Sequence, residues 1–145
     1  MTGDRGAALY SPDILALAVS LADFPLGEAL PLRGEATSRV CGSRVTIGIG
    51  VDERGRVDVI GARVTACAIG QASAALFLRG ARGRDGEDIA AAKQAIEAWL
   101  EGGAWPDWPD IAQLDAARRY PARRPAILLP WRAALAALSN SAIAD

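Results

Sequence analysis

The segment 43–66 most strongly constrains the fold, because apolar residues alternate with small or polar ones on both sides of a turn. In its first half, one face of an extended chain would carry Val45, Ile47, Ile49 and Val51. The tetrapeptide DERG (52–55) ends in a glycine that can adopt positive φ, as tight turns often require. The second half, 56–66, resumes the alternation, and its phase changes at Gly61, where we expect a bulge. The segment predicts an antiparallel hairpin, with 31–40 as a third strand at its edge.

Helical patterns lie on both sides of this hairpin. Helix signals such as Ser11 before Pro12, and Asp85 before Glu87 and Asp88, mark two of the starts. The predicted helices cover 11–24, 68–80, 87–103, 111–120 and 131–144. This order predicts an α+β fold, a three-stranded antiparallel sheet packed on one face by four to five helices. The length of 145 residues is typical of a single domain, so we expect 1–145 to form one.

Composition excludes several classes of function. The chain has no histidine, which excludes a Ser-His-Asp triad, a Cys-His pair and histidine-ligated zinc, and we expect no enzyme. Its net charge of −1 gives no basic field for nucleic acid. The apolar run 14–22 lacks the flanks of a secretion signal, and no run is long and apolar enough for a membrane span. We therefore expect a cytoplasmic protein with free thiols.

Two cysteines are the candidate functional residues. Cys41 precedes the first strand of the hairpin and Cys67 follows the second, so antiparallel pairing places both at one end of the sheet. Cys67 also begins a helix, where the helix dipole favours a thiolate. From spacing alone, small buried hydrophobes are the favoured interpretation of the two residues. A third interpretation is a redox pair, which requires Cα atoms within about 7 Å.

The stretch 33–80, with the motifs VCGS (40–43) and ACAIGQAS (66–73), resembles the iron–sulfur cluster scaffold family of the IscU, NifU N-terminal and SufU type. The long segment 81–120 is most similar to the SufU arrangement. The resemblance implies a cluster assembly scaffold or a sulfur or iron carrier, with Cys41 and Cys67 as thiolate ligands. Its cargo would be a [2Fe–2S] cluster or an iron or zinc ion. Its partner would be a cysteine desulfurase or another cluster-assembly protein.

The chain departs from that family at two of its four site positions. Ser43 stands where the family has an aspartate, and Pro125 or Ala126 stands where the family has its third cysteine. The resemblance therefore implies a site that is incomplete in a monomer. A homodimer can pool two cysteines from each copy, or a partner or small thiol can supply the missing ligands. Alternatively, the protein is a degenerate relative that only binds a desulfurase or another assembly partner.

Overall fold

The structure is a computed structural model that describes residues 11–39 and 42–144, with side chains through 140. Its three strands are β1 (Leu32–Thr37), β2 (Arg44–Val51) and β3 (Val57–Thr65). They form one antiparallel sheet in the order β1-β2-β3. This confirms the predicted hairpin, the predicted third strand and the α+β fold class.

The turn of the hairpin has the predicted form, whereas the bulge lies elsewhere. Gly55 has a φ of 77°. The register shifts between Gly50 and Val51, and Gly61 pairs regularly with Gly48, so the bulge predicted at Gly61 is wrong. Gly61 instead allows a close approach, because a Cβ there would overlap the carbonyl of Pro25 as the chain crosses the sheet.

Four α-helices lie within the described residues. They are α1 (Pro12–Ser20), α2 (Ala68–Ala81), α3 (Gly86–Leu100) and α4 (Arg124–Ala144). Short 3₁₀ segments cover Leu21–Asp23, Ile111–Arg119 and Pro121–Arg123. The Ser11 hydroxyl accepts the amide N–H of Ile14 at 3.3 Å, and Asp85 forms a capping box with Asp88. Both predicted helix starts are therefore confirmed.

The end of the chain differs from its prediction in two ways. The segment 111–119 is a 3₁₀ helix, and the last helix begins at Arg124 instead of Trp131. Proline is well tolerated in the first turn of a helix, so Pro125 does not prevent the earlier start. Pro130 lies inside α4 and has no N–H to donate to the carbonyl of Ala126. Trp131, the next residue, is nevertheless fully buried in the core, at 0% exposure.

Helix α4 packs directly on β1 and β2. A Cβ on Gly34 would overlap the carbonyl of Ala133 and the amide of Ala137, so only glycine permits this contact. The same sheet face carries the buried side chains of Val45, Ile47 and Ile49. The helices thus cover this face of the sheet. The packing of α4 on β1 also sets the position of its first turn relative to the corner between β3 and α2.

Candidate metal and sulfur site at the corner between β3 and α2

Cys67 lies between β3 and α2, at the position predicted for it. It is the N-cap residue of α2, with φ −65° and ψ 170°, and its side chain is partly buried. Its Sγ makes no capping hydrogen bond, although N-cap side chains commonly accept an N–H from the first turn. The residue is a free thiol. The corner therefore presents a sulfur atom that the helix start does not use.

Two contacts fix the backbone of this corner. The Gln71 side chain donates from Nε2 to the carbonyl of Ala66 at 2.9 Å, and the amide of Gln71 donates to the carbonyl of Cys67 at 2.9 Å. In the sheet, Thr65 pairs with Arg44, the first residue of β2. The start of β2 and the end of β3 are thus neighbours, as the hairpin predicted.

The loop before β2 closes on itself next to this corner. The amide of Ser38 donates to the carbonyl of Ser43, and the amide of Gly42 donates to the carbonyl of Ser38, both at 2.9 Å. Gly42 has a φ of 68°, which favours glycine. Ser43, at the position of the family's aspartate, is buried. Cys41 lies outside the described residues, so its predicted role as a ligand stays a prediction.

Ala126 is the residue of α4 that approaches the corner. A Cβ built on Gly70 would lie 3.6 Å from the Cβ of Ala126 and 4.0 Å from the Sγ of Cys67. These two distances together cap the separation of Cys67 Sγ from Ala126 Cβ at about 7.6 Å. Pro125 instead lines a groove between α3 and α4. Of the two positions that the sequence left open for the third ligand, the structure therefore favours Ala126.

Three hydrogen bonds from two side chains hold the first turn of α4 in place, one to α2 and two to the 3₁₀ segment before it. The hydroxyl of Ser73 donates to the carbonyl of Ile127 at 2.6 Å, and both groups are buried. The guanidinium of Arg124 donates to the carbonyl of Arg118 from Nε at 3.1 Å and from Nη2 at 2.7 Å. Neither contact was expected from the sequence. The sequence offered one signal for the Ser73 contact. Cys67, Gly70 and Ser73 are spaced three residues apart, and residues at that spacing share one face of a helix.

The described residues do not fit a metal ion by themselves. Within 11–39 and 42–144, no three or more Cys, Asp or Glu side chains come together as a ligand group. A structural zinc site takes four protein ligands, and a cluster normally takes four cysteines. Cys67 can therefore act only together with ligands from residues or molecules beyond this set.

Two solved structures share the fold of this chain over most of its length. The chain is similar to the N-terminal part of a nitrogen-fixing NifU-like protein from Brucella abortus, with 27% identity, 97% of this chain and 99% of that chain covered, and a TM-score of 0.84. A putative iron–sulfur cluster assembly scaffold of the SUF system from Fervidobacterium islandicum AW-1 shares the fold. For that protein the identity is 22%, the coverage is 91% of this chain and 98% of that chain, and the TM-score is 0.78. The predicted resemblance to the NifU and SufU scaffold family is confirmed.

Comparison of the sequence alone identifies no relative. No family model matches the chain, and no curated protein matches it significantly in sequence. In the part of the chain that the structure describes, no helix has both the length and the apolar character needed to cross a bilayer.

Proposed function

We propose that the protein is an iron–sulfur cluster assembly scaffold, or a carrier of sulfur or iron, that holds its cargo through the thiolates of Cys41 and Cys67. The observation that supports this most is the fold similarity, over 97% of the chain, to the N-terminal part of a NifU-like protein. The position of Cys67 adds to it, because its Sγ is partly buried at a backbone corner and is not needed as a helix cap. Its role is to bind and pass on cargo, not to catalyse a reaction.

The missing ligands come from a second molecule. Ala126 carries no donor atom in its side chain, and it lies near Cys67, where the resemblance implies the third cysteine. A second copy of the chain would bring two further cysteines and give the four thiolates that a cluster requires. A cysteine desulfurase or another assembly protein is the partner that would supply or receive the cargo.

Anaerobic reconstitution tests this function. Purified protein is incubated with ferrous iron, sulfide and dithiothreitol, and visible absorption, iron content and native mass are measured. We expect a cluster chromophore on a dimer, with one cluster bound per two chains. The chromophore should be lost in Cys67→Ala and in Cys41→Ala. Ser20→Ala is a matched control, because Ser20 donates to the carbonyl of Leu17 in α1 and lies outside the proposed site.

A second function is a protein-interaction module without metal chemistry. The observation that favours it is the alanine at position 126, which removes the third ligand while the surrounding packing is kept. Binding of a desulfurase that is unchanged in Cys67→Ala, in a protein that takes up neither iron nor zinc under reconstitution, would select this function over the first.

A further inference from the structure

A two-lobed groove runs between the C-terminal end of α3 and the N-terminal end of α4. One lobe has a volume of about 480 Å³ and the other about 620 Å³, and both are bordered by Leu100, Glu101 and Arg124. Each volume lies in the range of roughly 300–1,000 Å³ that ligand sites occupy. We call these two adjoining cavities the α3–α4 groove.

We call the apolar residues that line the α3–α4 groove its floor and the charged ones its rim. Apolar surface comes from Leu100, Pro121, Pro125 and Leu128. Two charge pairs on the rim are satisfied internally. Lys93 contacts Glu97 at 2.9 Å, and Arg118 contacts Asp115 at 2.9 Å.

The remaining rim charges are mostly positive. Arg119, Arg124 and Arg132 form no ion pair with the described residues, and Glu101 is the one carboxylate left to oppose them. The bonds from Arg124 to the carbonyl of Arg118 fix its guanidinium but leave its charge in place. Because the whole chain carries a net charge of −1, this positive surplus is local to the groove.

We propose that the α3–α4 groove binds a linear segment of a partner protein in which carboxylates flank aliphatic side chains. Guanidinium groups pair well with carboxylates, and the apolar floor takes the aliphatic groups. A small inorganic anion would leave the floor unused. Single-stranded nucleic acid would require aromatic stacking surfaces, and among the described residues none that lines either lobe is aromatic.

The groove lies next to the candidate site. Pro125 borders the groove, and the following residue, Ala126, faces Gly70 and the corner of Cys67. A partner held in the groove would therefore contact the turn of α4 that also borders the corner of Cys67. This consequence rests on the proposed function, whereas binding in the groove does not.

Peptide titration followed by ¹H–¹⁵N NMR tests the groove. The probe is the capped peptide Gly-Asp-Leu-Leu-Glu-Gly, with Gly-Asn-Leu-Leu-Gln-Gly and Gly-Asp-Ser-Ser-Glu-Gly as controls for charge and for apolar contact. We expect the first peptide to bind at least tenfold more tightly than either control. The largest shifts should fall on the amides of Leu100, Glu101 and Leu128.

Charge reversal locates the contact. The double variant Arg119→Glu/Arg132→Glu should weaken binding of the acidic peptide roughly tenfold, because each reversal removes an exposed ion pair and sets a like charge against the carboxylates of the peptide. Arg54→Glu/Arg63→Glu is the matched control, because it changes the net charge equally at exposed positions on the hairpin. Dispersed spectra of both double variants verify that they are folded.

Three results would overturn the groove proposal. They are equal affinity for all three peptides, unchanged affinity in the groove variant, and inorganic phosphate binding the same amides as tightly as the acidic peptide. Cys67→Ala should leave peptide binding unchanged. A failed reconstitution together with selective peptide binding would thus reject the proposed function and keep the groove.

Discussion

Replacing Ala126 with cysteine should create a zinc site that the natural chain cannot complete. The Cβ of Ala126 lies at most about 7.6 Å from the Sγ of Cys67. The added sulfur extends one bond further, in the staggered rotamer that brings it closest. Two thiolates on one tetrahedral zinc are roughly 3.8 Å apart, so zinc binding would draw the Cys67 side chain and the first turn of α4 toward each other. With Cys41, the variant would offer three thiolates, the number of protein ligands in an open zinc site.

Two opposing terms act on the stability of the variant, and only the zinc term sets the difference between its zinc-free and zinc-loaded forms. Ala126 has an exposure of 0%, so a larger side chain costs about 1–3 kcal/mol when no metal is bound. Free zinc at 100 times its Kd stabilises the folded state by about 2.7 kcal/mol. For a chain of this length, that corresponds to a rise in Tm of about 5–11 °C between the zinc-free and the zinc-loaded variant.

Scanning calorimetry with EDTA and with buffered zinc measures this rise, and competition with a chromophoric chelator gives the zinc affinity. Pro125→Cys is the matched control, because its thiol would enter the α3–α4 groove and not the corner. Equal zinc stabilisation of Pro125→Cys would refute the assignment of Ala126 as the third position. So would a gain in Ala126→Cys that persists when Cys67 is changed to serine.

Three further predictions concern stability. Gly34→Ala should lower the free energy of unfolding by about 3 kcal/mol in urea titrations, because its Cβ meets backbone atoms of α4, whereas Gly27→Ala, with open space around it, should have little effect. Ser73→Ala should cost about 1–3 kcal/mol, because the buried bond to Ile127 is lost, and a cost no larger than that of Ser20→Ala would contradict this. The N–H groups of Arg56 and then Arg54 lower the pKa of Asp52 below 3.8. The Asp52 carboxylate therefore stabilises the folded state at pH values above 3.8, and this contribution is lost as the pH falls through the pKa of the folded state. An NMR titration in which the pKa of Asp52 is not lowered from 3.8 would contradict this prediction.

Local patterns were sufficient to predict the sheet and most helix starts. Alternation with a period of two identified β2 and β3, and the polar residues before apolar periodic segments identified the caps at Ser11 and Asp85. These features depend only on residues within a few positions of one another, so they can be predicted from the sequence alone.

Contacts between distant segments were not predictable in the same way. Gly61 was interpreted as a bulge because its local phase changes, but its role is to admit the backbone of Pro25, 36 positions earlier. The third ligand position could not be assigned between Pro125 and Ala126, because the choice depends on where α4 begins and how it packs on α2. The contribution of Cys41 and the single-domain organisation stay predictions.

Pro130 divides α4 into two parts that different elements hold in place. The helical bond from residue 130 to the carbonyl of Ala126 cannot form, so the first turn is joined to the remainder of the helix by a weakened ladder. Ser73 and Arg124 secure that turn through other elements, whereas the following turns are locked to β1 around Gly34. The two parts of α4 are therefore held by separate contacts, so loss of the Ser73 bond should loosen the turn beside Cys67 and leave the contact between α4 and β1 in place.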